Sequence, residues 1–235
     1  MLTRLLFKIA RSRVSSFFVG FIFEHLSRLI PLERAYENRQ VVVFAHPLPT
    51  WSLHLLAVPK KRIPSFMQLA LDTIRHQQVV LSIFQAIKSV SCQKELSNFM
   101  VIVNGGAYQD VPQIHFHIAC QCTKGNRLPG TERVPWDRLD LTRAERFPSE
   151  ATLAFPHPNP ARQFHYVVMA ANAIPGLTGL DLTNAAHTRS LLALLCAAQT
   201  LITMHKLSAY MLVLNFTETN PDPRLLFHIL SGSDT

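Results

Sequence analysis

The sequence is poor in the features that mark several common classes of protein. Four cysteines in 235 residues form no Cys-x-x-Cys motif, and they are too few for the disulfide framework of a small secreted domain. Only 16% of the residues are charged, and the basic ones are not gathered into a block of the kind that binds nucleic acid. We therefore expect a reduced, cytoplasmic protein whose partner is not a nucleic acid. The four cysteines are Cys92, Cys120, Cys122 and Cys196.

Hydrophobic residues and an excess of positive charge are what the chain does have. Hydrophobic residues make up 48% of it, which is enough for a folded core of one large or two small domains. The formal net charge of +8 favours anionic partners such as nucleotides, although it does not choose among them.

The N-terminal residues 1–40 predict an amphipathic helical segment. A basic start precedes an apolar run over residues 14–30, and polar or charged residues between positions 24 and 28 interrupt that run. The run is too short and too polar for a membrane span, which needs about 20 mostly apolar residues. We expect this segment to pack on the core, with contact to a membrane surface by residues 1–30 as the alternative.

The next stretch predicts strands and one helix. Residues 41–59 read as two strands separated by a proline turn, and residues 98–104 read as a third strand. Between them, an apolar stripe predicts a helix that begins at Pro64.

A fourth strand carries the residues of greatest chemical interest. Gln113, His115 and His117 alternate with apolar residues, so the pattern predicts a strand with these three side chains on one face. Judged on its residues alone, the His-x-His pair suits cross-strand packing, or a zinc site made by His54, His115 and His117. The turn at Asn104 and Gly105 precedes the strand, and its glycine predicts close approach of the backbone to a ligand.

The chain repeats itself at one constant offset. His54 matches His165 (165 − 54 = 111), and Asn104 matches Asn215 (215 − 104 = 111). The second copy has Leu226 where the first has His115, so it lacks that imidazole. A repeat of this kind predicts two copies of one α+β unit. The predicted organisation is a first unit at 41–121, a linker at 122–150 with at most a short helix near 142–147, and a second unit at 151–235.

The stretch from Asn104 to Gln121 resembles the histidine-triad (HIT) motif of nucleotide hydrolases and transferases. Gln113 takes the place of the first histidine of that triad. The resemblance covers residues 41–121 and, more weakly, 151–231. It implies a HIT-like α+β fold in which two tandem units, the second degenerate, form a pseudo-dimer of antiparallel sheets and packed helices. Two such units in one chain are similar to the galactose-1-phosphate uridylyltransferase branch, which implies a monomeric pseudo-dimer.

The resemblance also implies an activity. The expected protein is a hydrolase or nucleotidyltransferase that acts on a nucleoside phosphate derivative through a nucleotidyl-histidine on His115, with no cofactor and no resident metal. The alternatives are a catalytically weak nucleotide-binding protein associated with a membrane surface, and the zinc protein described above. The residues assigned to catalysis are His115, His117, His54 and Gln113, and those assigned to nucleotide or phosphate binding are Asn104, Gly105, Gln109 and His46.

Overall fold

The computed structural model describes residues 33–120, 134, 144–147, 152–172, 174, 176–177, 179–217 and 224–234. The predicted helix over most of residues 1–40, its suggested membrane contact and most of the linker at 122–150 lie outside these described residues.

Within the described residues, ten antiparallel strands form one continuous sheet, and two 20-residue helices accompany it. The sheet order is β1-β2-β3-β5-β4-β9-β10-β8-β7-β6. The strands are β1 Arg34–Glu37, β2 Val41–Ala45, β3 Leu53–Pro59, β4 Asn98–Gly106, β5 Phe116–Cys120, β6 Glu145–Arg146, β7 Thr152–Pro156, β8 Arg162–Ala170, β9 Ala209–Thr217 and β10 Leu226–Asp234, and the helices are α1 Ile74–Gln93 and α2 Ala185–Met204.

Both helices begin at a residue whose side chain accepts backbone N–H bonds. Thr73 accepts from the amide of His76, and Asn184 accepts from the amides of Ala186 and His187. Such caps satisfy N–H groups that the first helical turn leaves unpaired. The predicted helix start at Pro64 is therefore wrong by ten residues, since a short 3₁₀ helix at Phe66–Gln68 and a turn precede α1.

The core lies between the helices and one face of the sheet. Alternate strand residues such as Val101, Val103 and Ile118 join buried residues of both helices in a single apolar cluster. Helix α2 is long and apolar enough to cross a membrane by length and composition, but its buried residues belong to this cluster. The other strand residues project from the opposite face. Neither α1 nor α2, the helices of the described residues, packs on it, so we call it the helix-free face.

The two halves of the sheet contain the same elements in the same order. The first half runs β1-β2-β3-β5-β4 inward from its edge, and the second runs β6-β7-β8-β10-β9. The starts of helices α1 and α2 are separated by the offset of the repeat (185 − 74 = 111), as are those of β4 and β9 (209 − 98 = 111). β4 and β9 pair along their length at the centre of the sheet, with Ile102 opposite Val213.

Two short stretches differ from the sequence prediction. Residues 34–37, placed in the helical segment, form β1 and pair with β2. Residues 145–146, where a short helix was expected, form β6 and pair with Leu153 and Ala154. In both places the chain gains a sheet partner further along, which a local pattern does not reveal.

Candidate functional site

A cluster of imidazoles lies on the helix-free face of the first half. Their strand neighbours Leu55, Phe116 and Ile118 point into the helical core, so His54 on β3 and His117 on β5 face the other way. His54 and His117 are 5% and 8% exposed. Burial, with the neighbouring imidazoles as a smaller cause, lowers the pKa of His54 to about 3 and that of His117 to about 2. Both rings are therefore neutral at pH 7.

A chain of hydrogen bonds fixes which nitrogen of each ring carries the proton. The backbone N–H of Thr50 donates to His54 Nδ1 at 3.2 Å, so the proton of the neutral ring is on Nε2. His54 Nε2 donates in turn to His117 Nδ1 at 2.8 Å. The proton of His117 is consequently on Nε2, which points away from His54.

Two hydrogen-bond donors converge at the end of this chain. His117 Nε2 lies 3.5 Å from Asn104 Nδ2. With the amide in this orientation both nitrogens carry protons and do not bond to each other, and Asn104 Oδ1 is buried without a hydrogen bond. Turning the amide over would let Oδ1 accept from His117 Nε2–H. In the orientation with Nδ2 toward His117, an anionic oxygen placed between the two nitrogens would receive two hydrogen bonds.

His115 lies beside the pair with the geometry of a nucleophile. Its ring centre is 4.9 Å from that of His117, and the rings are nearly perpendicular. His115 Nδ1 donates to the backbone carbonyl of Gln113 at 2.8 Å, which leaves the lone pair on Nε2. Burial lowers the pKa of His115, and the Gln113 carbonyl and Asp110 oppose that shift.

His46 completes the first imidazole cluster. Its ring stacks on His54 with centres 4.0 Å apart and planes 6° from parallel, and Leu48 N–H donates to its Nδ1 at 3.0 Å. The edge of Trp51 contacts the same His54 ring at 4.6 Å. The structure therefore places His46 among the histidines, packed on His54. The sequence pattern did not indicate that Thr50 and Trp51 contact the His54 ring.

Gln113 has its side chain bonded within the protein. It lies before β5, which begins at Phe116. The Gln113 side chain is 1% exposed, donates to the carbonyls of Pro59 and Lys61, and accepts from the amide of Ile63. These bonds hold the turn after β3 in place.

Gln109 also has a structural role. Its Nε2 donates to the carbonyls of Pro64 and Val111, at 2.6 Å each. Those two bonds use both of its N–H donors, so the amide nitrogen that we expected to bind phosphate is already occupied.

The glycine turn is explained by packing, not by approach to a ligand. A Cβ on Gly105 would lie 2.0 Å from the ring of Tyr210, and Gly106 has a φ of +58°. The amides that follow are already used, since those of Ala107, Tyr108 and Gln109 donate to the carbonyls of Ser208, Gly105 and Gly106. The phosphate cradle expected after Gly105 is therefore not formed by these amides.

The second half repeats the imidazole cluster without a counterpart of His115. His165 Nε2 lies 3.0 Å from His228 Nδ1, and His157 stacks on His165 at 4.2 Å. The amide of Ala161 donates to His165 Nδ1, as that of Thr50 does to His54. At the position of His115, Leu226 packs in an apolar cluster with Phe155, Val167 and Met169.

The histidines of the two halves also form the groups that could bind a metal. Among the described residues, one group is His46, His54 and His117, and the other is His157, His165 and His228. His115 belongs to neither. The predicted zinc set of His54, His115 and His117 is therefore not the one that the structure assembles.

Comparison with known proteins finds similarity to one family, mostly in the first half. Residues 28–122 match the HIT domain. An uncharacterized HIT-like protein of Synechococcus elongatus is 25% identical over 96 residues, which are 40% of this chain and 82% of that protein. Among solved structures, a histidine triad protein from Clostridium difficile is 26% identical, with a TM-score of 0.40 over 46% of this chain and 94% of its own.

A larger structure resembles both halves together. A uridylyltransferase superposes with a TM-score of 0.55 over 85% of this chain and 76% of its own, at 14% sequence identity. This likeness concerns the fold alone. Together with the HIT domain at 28–122, it confirms the predicted HIT-like α+β fold with an antiparallel sheet.

Proposed function

We propose that this protein is a histidine-triad hydrolase or nucleotidyltransferase that acts on a nucleoside phosphate derivative. The observation that carries the proposal is the arrangement around His115. Its lone pair is on Nε2 because Nδ1 donates to the Gln113 carbonyl, and the nitrogens of His117 and Asn104 lie close together beside this ring. A nucleophile next to a pair of oxygen-binding donors is what transfer of a phosphorus group needs.

The proposed reaction has two steps. His115 Nε2 attacks the α-phosphorus of the substrate, a nitrogen–phosphorus bond forms, and the bond from phosphorus to the leaving group breaks. Water or another nucleophile then attacks the same phosphorus and releases His115. His117 Nε2–H and Asn104 Nδ2–H bind a non-bridging phosphate oxygen, whose negative charge grows as each transition state forms.

Gln113 has no part in proton transfer in this scheme. Its amide carries no titratable proton, and its side chain is fully bonded to the backbone. The leaving group must therefore depart as a stable anion or take its proton from water. This favours substrates with a good leaving group, such as a pyrophosphate or a sugar phosphate, over those with a poor one.

We further propose that the chain consists of two tandem HIT-type units, the second of which is degenerate. Support comes from the constant offset of the repeat, the identical strand order of the halves and the central pairing of Ile102 with Val213. In the second unit Leu226 replaces His115, so the proposed active site is single.

A catalytically weak nucleotide-binding protein is the second candidate. The observation that favours it is the small number of phosphate donors, because Gln109 and the amides of Ala107, Tyr108 and Gln109 are already bonded within the protein.

Trapping the covalent intermediate separates the two candidates. The full chain is incubated with nucleoside phosphoramidates, dinucleoside polyphosphates and nucleotide sugars, and acid-sensitive nucleotidyl peptides are identified by mass spectrometry. We expect an adduct on the peptide containing His115, and a fall in single-turnover rate of about 1,000-fold or more in His115→Ala.

The exposed His205→Ala is the matched control and should react as the wild type does. An adduct on another peptide, or unchanged turnover in His115→Ala, would refute the mechanism, and binding without an adduct would favour the second candidate.

A further inference from the structure

The second half contains a group of buried histidines that the proposed reaction does not use. His157, His165 and His228 are 5%, 3% and 1% exposed, and they come from the turn after β7, from β8 and from β10. The half that carries them has Leu226 in place of the nucleophile. Three buried imidazoles therefore lie together in this half, and none of them has a role in the proposed reaction.

One nitrogen of this group has no partner within the described residues. His157 Nε2 is buried and makes no hydrogen bond. His157 Nδ1 has two contacts with Asn159: it lies 2.7 Å from the carbonyl, to which it donates in the Nδ1–H tautomer, and 3.1 Å from the backbone N–H, from which it accepts in the Nε2–H tautomer. In the Nδ1–H tautomer, which makes the shorter bond, the ring presents an unused lone pair on Nε2. A histidine that binds a metal has this arrangement, since its other nitrogen usually donates to a backbone carbonyl or a carboxylate.

The spacing of the group suits a transition metal. The three possible ligand nitrogens lie within 4.8 Å of one another, and His165 Nε2 is 3.0 Å from His228 Nδ1. Bonds of about 2.0 Å in tetrahedral geometry place ligand nitrogens about 3.3 Å apart, so only small shifts are needed. Imidazole nitrogen suits Zn²⁺, Co²⁺ and Ni²⁺ in preference to Mg²⁺ or Ca²⁺.

From this geometry we propose that His157, His165 and His228 form a structural transition-metal site in the second half. The ion would join three consecutive parts of that half of the sheet. The proposal does not depend on the proposed function, because none of the three residues belongs to the site around His115.

Metal binding has a cost at His165. The amide of Ala161 donates to His165 Nδ1, so His165 Nε2 carries the proton and must lose it to become a ligand. The ring then needs its proton on Nδ1, and the bond from Ala161 is lost. Leaving one buried N–H without an acceptor corresponds to a loss of affinity of about 5- to 150-fold. Structural zinc sites bind with dissociation constants on the order of 10⁻⁸ M or tighter, so a site weakened to this extent still fills at micromolar metal.

The first half offers a matched comparison that is less suited to a metal. Leu48 N–H donates to His46 Nδ1 at 3.0 Å, which places the proton of His46 on Nε2. Asn159 N–H makes the same kind of bond to His157 Nδ1, but the shorter contact of that nitrogen with the Asn159 carbonyl favours the tautomer with a lone pair on Nε2. His46 is also more exposed than its counterpart His157. We therefore expect the second cluster to hold the ion.

Cobalt titration of the full chain tests the proposal. Apoprotein is titrated with Co²⁺ and followed by its visible absorption bands, and bound Zn²⁺ is counted by plasma mass spectrometry after dialysis. We expect one equivalent in the wild type and in His46→Gln, and at least a 30-fold weaker Kd in His157→Gln and in His228→Gln. Equal binding by His157→Gln and the wild type would overturn the proposal. Loss of the ion in His46→Gln, with binding retained in His157→Gln and His228→Gln, would also overturn the proposal.

A second measurement covers the case in which the variants do not fold. Zn²⁺ should raise the Tm of the wild type and of His46→Gln, because an ion that binds only the folded state stabilises it. Absence of any Zn²⁺-dependent rise in the wild type would overturn the proposal without reference to the variants.

Discussion

At the scale of single residues, Gln113 shows how one buried side chain can hold a turn. It bonds to three backbone groups, at Pro59, Lys61 and Ile63. Gln113→Ala would leave these buried groups without partners, and we expect it to lower the free energy of unfolding by about 2–4 kcal/mol. Urea unfolding measures this change in the free energy of unfolding. The control is the exposed Gln85→Ala, which should change that free energy by less than about 0.5 kcal/mol. Equal stabilities of the two variants would contradict the assigned role.

The buried imidazoles predict a particular dependence of stability on pH. Burial lowers the pKa of His54 and His165 to about 3 and that of His117 to about 2, from an ordinary 6.5. Below pH 6.5 the unfolded chain takes up protons that the folded chain does not. Stability is therefore fully present above pH 6.5 and is lost as the pH falls toward 3, with a slope of up to about 1.4 kcal/mol per pH unit for each imidazole.

Urea unfolding between pH 7.5 and pH 5 checks this slope. We expect His54→Gln to unfold with a shallower dependence on pH than the wild type, because it removes one of the titrating groups. The exposed Gln85→Ala, which removes no titrating group, should keep the slope of the wild type. A wild-type stability that stays constant from pH 7 to pH 5 would show that these histidines are not held neutral.

Residue patterns predicted the imidazole face only in part. The alternation around His115 and His117 is regular because both residues adjoin or lie in β5, so their side chains project from the sheet as expected. At Gln113 the strand has not yet begun, and the side chain turns to the neighbouring backbone instead. The partners of Gln109 and the donor to His54 Nδ1 are backbone groups, whose positions no residue pattern specifies.

At the scale of elements, the contact between β4 and β9 explains the glycine turn. Tyr210 on β9 pairs with Gly105 on β4, and its ring occupies the space where a Cβ would be. We expect Gly105→Ala to cost about 1–3 kcal/mol of stability, which is the usual range for overpacking a core. Combining it with Tyr210→Leu in a double-mutant cycle should recover at least about 1 kcal/mol, since the smaller side chain frees that space. Strictly additive effects would mean that the ring is not the obstacle.

At the scale of the whole molecule, the sequence revealed the repeat because matched residues of the two halves are always 111 positions apart, with no insertion or deletion between them. The constant offset between the copies predicted equal element orders, and the structure has them. The short strands β1 and β6 were not predicted, since each gains its hydrogen bonds from an edge strand elsewhere in the chain. Neither was the pairing of β4 with β9, which depends on how the halves meet and not on either half alone.

That central pairing predicts the behaviour of the first half when it is separated. Ile102 lies opposite Val213, and the two are separated by the offset of the repeat (213 − 102 = 111), so each strand faces its own counterpart. A fragment of residues 1–122 exposes the edge of β4, and unpaired edges of this kind pair with other chains. We expect two fragments to pair through β4 in the same register, with Ile102 opposite Ile102. Light scattering after size exclusion should therefore find a folded dimer.

Charge at the centre of the pair tests the register. In the fragment, Ile102→Lys places two ammonium groups opposite each other on adjacent strands, where like charges are destabilising, so the dimer should dissociate. Mixing Ile102→Lys with Ile102→Glu should restore a dimer that contains one copy of each, because opposite charges then face each other. The exposed Gln85→Lys is the control and should leave the dimer intact. A fragment that is a stable monomer, or a dimer that tolerates Ile102→Lys, would show that the edge of β4 is not where the halves recognise each other.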